Sequence, residues 1–272
     1  MTMDAAFEQH KACVLIPTYN NLVPLAHVLH DVLQYTRHVI VVNDGAVDGT
    51  REMLARQYPQ VALVDYAQNR GKGYALRQGF ARAVALGYTY AITIDSDGQH
   101  YADDLPVFLK KLETSPNAII IGARNMDQAS VPGKSSFGNK FSNFWYKVET
   151  GLSMRDTQSG YRVYPVKALQ NFTFVTRKYE FEIEVLVRAA WAGIEVTEVP
   201  VKVFYPEKEK RISHFRPFRD FSRISVLNTV LVTITFLYIK PRDLFRGLKK
   251  KTSGKSSAKS AANSLTPGNR PG

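Results

Sequence analysis

The sequence predicts a doubly wound α/β domain built on a mostly parallel sheet. Three observations carry that expectation. Through the first 125 residues, short apolar runs alternate with amphipathic helical patterns. Polar clusters follow four of those runs, directly or after a few residues. Cys13 is the single cysteine of a 272-residue chain, so the core must hold by burial rather than by disulfides.

Each element has its own reason. Residues 12–16 are uninterruptedly apolar, as a strand buried on both faces requires. Leu22, Leu25, Leu29 and Leu33 then fall on one face of a helix over 22–35. Residues 39–42 form the second strand, and a helix over 48–57 follows with Asp48 as its N-cap. The third strand is 61–64, followed by an Ala-, Leu- and Arg-rich helix over 72–86. Residues 90–94 are the fourth strand, and a helix over 103–113 opens with two acids that suit its N-terminus. The fifth strand is 118–121. Beyond a long connection, 137–149 and 180–191 read as helices, and 194–204 as a strand pair broken at Pro200. Strand–helix–strand alternation implies right-handed crossovers, with ligands outside the carboxyl ends of the strands.

The formal charge of +12 is unevenly placed. Residues 1–201 hold 20 Lys/Arg and 20 Asp/Glu, so the body is neutral and the excess lies in the last 71 residues. A nucleic-acid binder would spread basic residues over the fold, so no nucleic-acid partner is expected. No apolar run precedes Lys11, so no secretory signal is expected and the active face is placed in the cytosol.

The polar clusters carry the chemistry. Asp95-Ser96-Asp97 puts two carboxylates at the end of a buried strand, where each opposes the ionisation of the other. Mg2+ or Mn2+ resolves that repulsion with oxygen ligands, keeping water or phosphate for the rest of its shell. Gln99 adds a neutral oxygen. A plain Asp-Gly turn is the rival reading. Asp44 is placed to accept hydrogen bonds from a base or ribose. Gly71-Lys72-Gly73 has neither P-loop nor dinucleotide spacing, which leaves Lys72 facing a diphosphate or solvent. His100 either orients the acidic pair or lies at the surface, and no hydrolase triad is visible.

Several motifs occur in a telling order: Ile-Pro-Thr-Tyr-Asn, Val-Val-Asn-Asp-Gly-x-x-Asp-Gly-Thr, Asn-x-Gly-Lys-Gly, Asp-x-Asp-Gly-Gln-His, Gly-Ala-Arg and Asp156-Thr157-Gln158-Ser159-Gly160-Tyr161-Arg162. Over about residues 12–225 the chain resembles the family 2 glycosyltransferases. It is most similar to the dolichol-phosphate (polyprenyl-phosphate) mannosyltransferase branch. The resemblance implies a GT-A-type, Rossmann-like, mostly parallel sheet flanked by helices. It also implies a nucleotide-sugar donor and residue roles. Pro17, Tyr19, Asn21 and Asp44 hold the nucleoside. Lys72, Asp95, Ser96 and Asp97 serve the donor diphosphate, and Asp95, Asp97 and Gln99 bind the metal. Arg124 and Arg162 meet phosphate groups, and Glu182 and Glu184 match the helix after the Tyr161-Arg162 motif. Asn21 stands where the family often has Glu, and Asn43-Asp44-Gly45-Ala46 replaces Asp-Asp-Gly-Ser, so the base is left open. A lipid-phosphate acceptor is already an anion and needs no general base. A hydroxyl acceptor needs a carboxylate, for which Asp156 comes first and Glu184 second.

The C-terminal end adds a membrane expectation. Residues 224–239 are sixteen positions without a charge, interrupted by Asn228, Thr229, Thr233 and Thr235. That is short for a span, which takes about 17–25 apolar residues. A core helix, an interfacial or hairpin-like helix and a tilted span all remain open. Lys240, Arg242 and the basic residues of 246–251 follow, which favours an anionic membrane surface through 224–251. Arg211, His214, Arg216 and Arg219 either grip a polyprenyl phosphate or form a solvated loop. Residues 252–272 are low in complexity and read as a disordered basic tail.

The expected organisation is a catalytic domain over 1–205, a basic loop with a membrane-associating helix over 206–251, and the tail. The expected protein is a metal-dependent inverting hexosyltransferase on the cytoplasmic face of a membrane. Its donor is of GDP-mannose or UDP-glucose type, and its acceptor a polyprenyl phosphate or other lipid-linked molecule. The alternatives are transfer to a non-lipid hydroxyl and a non-catalytic sugar-nucleotide-binding subunit of a membrane-protein complex.

Overall fold

The computed structural model describes residues 2–125, 133–205 and 216–245. Arg211, His214, the basic stretch 246–251 and the tail 252–272 lie outside the described residues. The chain divides into two compact units, Met1–Asn228 and a second that begins at Thr229.

The first unit holds a seven-stranded sheet in the order β3-β2-β1-β4-β6-β5-β7. Its strands are β1 (Ala12–Thr18), β2 (Val39–Asp44), β3 (Ala62–Tyr66), β4 (Tyr90–Thr93), β5 (Ile119–Arg124), β6 (Arg162–Pro165) and β7 (Val196–Val201). All pairings are parallel except those of β6, which runs antiparallel between β4 and β5. β1, β2 and β4 are buried along their whole length, which is why they read as continuous apolar runs.

The helices are α1 (Met3–His10), α2 (Leu22–Leu33), α3 (Thr50–Gln57), α4 (Lys72–Ala85), α5 (Leu105–Thr114), α6 (Gly133–Thr150), α7 (Val166–Leu169), α8 (Phe181–Trp191) and α9 (Pro217–Ile234). α2 buries Leu25, Val28, Leu29 and Val32, a stripe at helical spacing. These residues share one core with Phe7 of α1, Val14 and Ile16 of β1, and Leu105, Phe108 and Leu109 of α5. α4 packs on β1 and β2. There Gly79 lies against the side chain of Leu15, the β1 residue that alternates with Val14 and Ile16.

Four local expectations are corrected. The segment 194–204 is one strand, β7, with Pro200 inside it. β7 is an edge strand, so a residue without an N–H costs no ladder bond on the open side. The helix expected over 103–113 is α5 at 105–114: Asp103 and Asp104 do stand at its N-terminus, in a 3-10 turn (Ala102–Asp104) with Asp104 at the N-cap position, but neither carboxylate makes a capping hydrogen bond. They instead hold the chain after β7: Asp104 accepts from the Lys202 amide at 2.7 Å, and Asp103 pairs with the Lys202 ammonium. Asp48 lies one residue before the N-cap of α3, which is Gly49. It still accepts from the Thr50 amide, and it also accepts from the Leu22 amide, so it ties the starts of α2 and α3 together. The fourth correction is β6, a strand of four residues just past the connection over 123–160, in a stretch to which the sequence assigned no element.

At the C-terminal end, one helix among the described residues is long and apolar enough to cross a membrane. It runs over Phe218–Phe245, 28 residues with a mean hydropathy of 1.5 in its most apolar window. The sixteen uncharged residues are therefore the middle of a longer helix, continuous through a π-helical turn at Thr235–Ile239. Val226, Val230, Leu237 and Tyr238 are exposed on it.

Candidate active site

A cleft of about 690 Å3 opens at the carboxyl ends of β1, β2 and β4. Pro17, Tyr19, Asn21, Asp44, Lys72, Asp95, Ser96, Asp97 and Gln99, all offered by the sequence, line it together. Arg216 and Arg219 line it as well, joined by Lys178, Tyr179, Asp220 and Arg223.

The loop after β4 builds the acidic end. Gly98 takes a left-handed turn (φ 74°), and the Gln99 amide donates back to Asp97 Oδ1 at 3.0 Å. Ser96 is buried and accepts from Asn21 Nδ2 at 3.1 Å, which fixes the two loops to one another. Asp95 receives the Lys72 ammonium at 2.7 Å, and the same ammonium reaches Glu182 at 3.1 Å. Burial opposes the charge of Asp95, but Lys72, with help from His100 and Arg162, holds its carboxyl below the usual range. Burial and then the charge of Asp95 push the Asp97 carboxyl up to about 6. Lys72 is likewise opposed by burial, yet Asp95 and Glu182 keep its ammonium protonated well above an ordinary lysine. Lys72 thus faces neither open solvent nor empty space: it is the inner cation of the acidic loop.

The glycines around this group are steric necessities. Gly71 has φ 97°, and a side chain there would meet the Arg177 carbonyl at 2.8 Å. A Cβ on Gly160 would lie 2.5 Å from Asp95 Oδ2 and 2.8 Å from Lys72 Nζ. β6 is what delivers Gly160 to that place. It pairs with β4 through Thr93↔Arg162, and Thr93 Oγ1 donates to the Gly160 carbonyl at 2.7 Å.

Asp44 is buried in the cleft lining, and its two oxygens accept from the Arg70 and Gly71 amides at 2.7 and 2.8 Å. It shapes the loop that launches α4 before it can serve a nucleoside. Thr18 Oγ1 and Asn21 Oδ1 are buried and have no hydrogen-bond partner among the described residues.

The four residues expected to be catalytic lie outside the cleft lining. Arg162 is fully buried, and its guanidinium donates to the carbonyls of Ser159, Thr157 and Glu182 and to the Tyr164 hydroxyl. With its donors directed at these groups, it braces the 157–160 loop against α8 instead of meeting a phosphate. Glu184 accepts from the Val175 and Thr176 amides, the Thr176 hydroxyl and Arg188. Burial opposes its charge, and these donors hold its carboxyl below the usual range. Asp156 is fully buried and accepts from Arg124, Asn139 and the Gln158 and Ser159 amides. Burial is again outweighed, here by Arg124, so Asp156 is an ionised anchor. Arg124 gives Nε and Nη2 to that carboxylate at 2.7 and 3.0 Å.

His100 is buried behind the acidic loop, bridged to Val203, with its ring 5.1 Å from that of Tyr161. Burial keeps it neutral by pulling its pKa down to about 4. The residues that sequence reasoning missed are Glu182 as the partner of Lys72, and Lys178, Tyr179, Asp220 and Arg223 as cleft residues. Arg216, Arg219, Asp220 and Arg223 are spaced to share one helix face, a signal available in the sequence. Asp220 anchors that face, accepting from the Arg216 amide at 2.7 Å.

Comparison with known proteins agrees with this architecture. Residues 13–172 match the family described as Glycosyl transferase family 2. Glycosyltransferase AglJ of Haloferax volcanii is 29% identical over 211 residues, covering 76% of this chain and 67% of that protein. Polyprenol monophosphomannose synthase of Mycolicibacterium smegmatis is 27% identical over 216 residues, covering 75% and 80%. Among solved structures, glucosyl-3-phosphoglycerate synthase of Mycobacterium tuberculosis, with Mn2+, UDP and phosphoglyceric acid, superposes with a TM-score of 0.61. That similarity has 18% identity, covers 85% of this chain and 80% of the other, and speaks to the shared GT-A-like fold. A parallel sheet with one inserted antiparallel strand, an acidic loop after its fourth strand and a match over more than half the chain lead to one conclusion: this protein belongs to glycosyl transferase family 2.

Proposed function

We propose that this glycosyltransferase moves a hexose from a nucleotide-sugar to a polyprenyl phosphate or another lipid-linked anion, at the cytoplasmic face of a membrane. The observation that carries the reading is the chemical polarity of the cleft. Asp95, Asp97 and Gln99 line it, and so do Arg216, Arg219 and Arg223. Such a cleft suits two anions that must meet, a donor diphosphate and an acceptor phosphate.

The donor end draws on several residues. Pro17, Tyr19, Asn21 and Asp44 surround the nucleoside, and the buried Thr18 Oγ1 and Asn21 Oδ1 supply acceptor atoms. Asp97, with Asp95 and Gln99, fits a divalent cation that takes few protein ligands and completes its shell with phosphate oxygens. Held there, Mg2+ or Mn2+ supplies charge neutralisation to the departing diphosphate. Asp97 suits this role because its carboxyl, destabilised by burial and by Asp95, gains from a cation.

The acceptor end needs no proton removal if the nucleophile is a phosphate. This matches the protein, since both carboxylates offered as general base, Asp156 and Glu184, are occupied by donors outside the cleft lining. Bidentate-capable guanidiniums at Arg216, Arg219 and Arg223 suit a phosphate monoester. The helix that carries Arg219 and Arg223 in its first turns continues as the apolar stretch to Phe245, an order that suits a lipid-borne phosphate. The polyprenol named for the mycobacterial relative supports the same acceptor class.

The test incubates the full chain with membranes, Mn2+ and labelled GDP-mannose or UDP-glucose, followed by organic extraction. Label in the lipid phase is expected. Label confined to water-soluble product overturns the acceptor assignment, and no transfer from either donor overturns the donor assignment.

A further inference from the structure

We propose that Lys72 is the resident counter-ion of Asp95, holding the place that a divalent cation takes. Glu182 is the second carboxylate, to which the ammonium withdraws. The inference rests on the donor reading above and deepens it by assigning a role to two residues that reading leaves unused.

The geometry is specific. Lys72 Nζ lies 2.7 Å from Asp95 Oδ1 and 3.1 Å from Glu182 Oε2, with the three side chains 17%, 27% and 11% exposed. Such an ammonium must keep a counter-charge wherever it moves, because a buried charge left alone is costly. Gly160 closes the third direction, since its backbone already lies against both Lys72 Nζ and Asp95 Oδ2. Lys72 is also the first residue of α4, and Asp44 and Gly71 fix where that helix starts. Within the protein the ammonium has two stations, both carboxylates, and its remaining side opens on the cleft.

Charge completes the argument. Asp95, Asp97 and Glu182 are three carboxylates against the Lys72 ammonium and the Arg162 guanidinium behind it, an excess of one negative charge. The Lys72 ammonium is the cation that Asp95 and Glu182 both face. A cation that binds Asp95 competes with Lys72, so it binds weakly alone. It binds well once a diphosphate brings oxygens for the cation and a new anionic neighbour for Lys72.

The test measures Mn2+ binding to the full chain by the electron paramagnetic resonance signal of free Mn2+, without donor and with UDP or GDP. Removing the competitor in Lys72→Met tightens Mn2+ binding in the absence of nucleotide by about tenfold, the low end of coupling for close charge pairs. It also shrinks the gain that the nucleoside diphosphate gives. Glu182→Gln removes the second station, commits Lys72 to Asp95 and weakens Mn2+ binding several-fold. Circular dichroism checks that both variants fold, and Glu182→Gln decides the matter if Lys72→Met does not. Unchanged or weaker Mn2+ binding in Lys72→Met, or unchanged or tighter binding in Glu182→Gln, overturns the role of Lys72 while leaving the donor reading intact. Wild-type protein that binds Mn2+ neither alone nor with either nucleotide overturns both.

Discussion

Replacing Gly160 by alanine drives one methyl group into the Lys72–Asp95 pair. The new carbon would stand 2.5 Å from Asp95 Oδ2 and 2.8 Å from Lys72 Nζ, well inside van der Waals contact. Either atom alone could yield, being the end of a side chain. Joined at 2.7 Å and backed by Glu182, they must move together. Gly160 is absent from the residues with positive φ, so alanine brings no backbone strain and the perturbation is purely steric. Overpacking of this kind costs about 1–3 kcal/mol of stability. A displacement approaching 1 Å in a positioned group costs about 100-fold in turnover. Gly193→Ala is the matched control. It sits past the end of α8 at φ 81° with open space around it. It should lose about 1 kcal/mol from left-handed backbone strain and keep its turnover. The assay pairs urea unfolding with initial rates of sugar transfer at saturating donor. If Gly160→Ala transfers sugar at the wild-type rate, the room that Gly160 leaves beside Asp95 and Lys72 does not govern catalysis and the reasoning fails.

Further outcomes follow from the buried groups. Arg162→Met leaves three carbonyls without their donor and should cost about 3–5 kcal/mol; Arg162→Lys should not restore it, because an ammonium cannot match the guanidinium fork. Urea midpoints decide this, and a stable variant that loses only donor binding would return Arg162 to the phosphate site. Glu184→Gln should lower stability by about 1–2 kcal/mol while turnover stays within a few-fold, since its work is to hold the 175–176 turn. A fall of two orders of magnitude with unchanged stability would make it the base after all. Burial pushes the Glu149 carboxyl from 4.5 up to about 8, so the folded state keeps a proton that the unfolded state has lost. Stability is then lost as pH rises from 4.5 towards 8, amounting to about 3 kcal/mol at pH 7. Glu149→Gln should therefore overtake the wild type in thermal stability at pH 7 and nearly match it at pH 5; parallel profiles would sink the assignment.

What the sequence disclosed follows from how each signal is encoded. β1, β2 and β4 were legible because central parallel strands are apolar on both faces. The cleft residues at their ends were legible because they interrupt those runs abruptly. β6 was not, for two reasons: four residues are too few for periodicity, and its first residue is a buried arginine. Arg162 and Glu184 show a different limit. A motif records that a residue type recurs at a place, but not whether its polar atoms face the ligand or the backbone behind it. Arg162 faces carbonyls, and Glu184 faces amides. Glu182, two residues before Glu184 on α8, is the one that reaches the cleft cation, and only the three-dimensional placement of Lys72 shows it.

The placement of charge sharpens the assignment of the acceptor. Residues 1–201 are neutral overall, yet within them Asp95, Asp97 and Glu182 concentrate acidity around a single ammonium. The basic excess begins after β7, and Arg216, Arg219 and Arg223 bring part of it into the cleft. Asp220 holds the Arg216 backbone and lies 3.5 Å from Arg223, so this arginine face is a built feature. A nucleic-acid surface would spread its cations over the exterior, to meet phosphates spaced along a backbone. Here they converge on one concavity that Asp95 and Asp97 also line. On the proposed reading the carboxylates favour a cation-bearing diphosphate, and the arginines favour a ligand that is already anionic. On that reading, a phosphate acceptor adds the charge that three arginines against one Asp220 leave unbalanced and needs no base, whereas a neutral hydroxyl adds none.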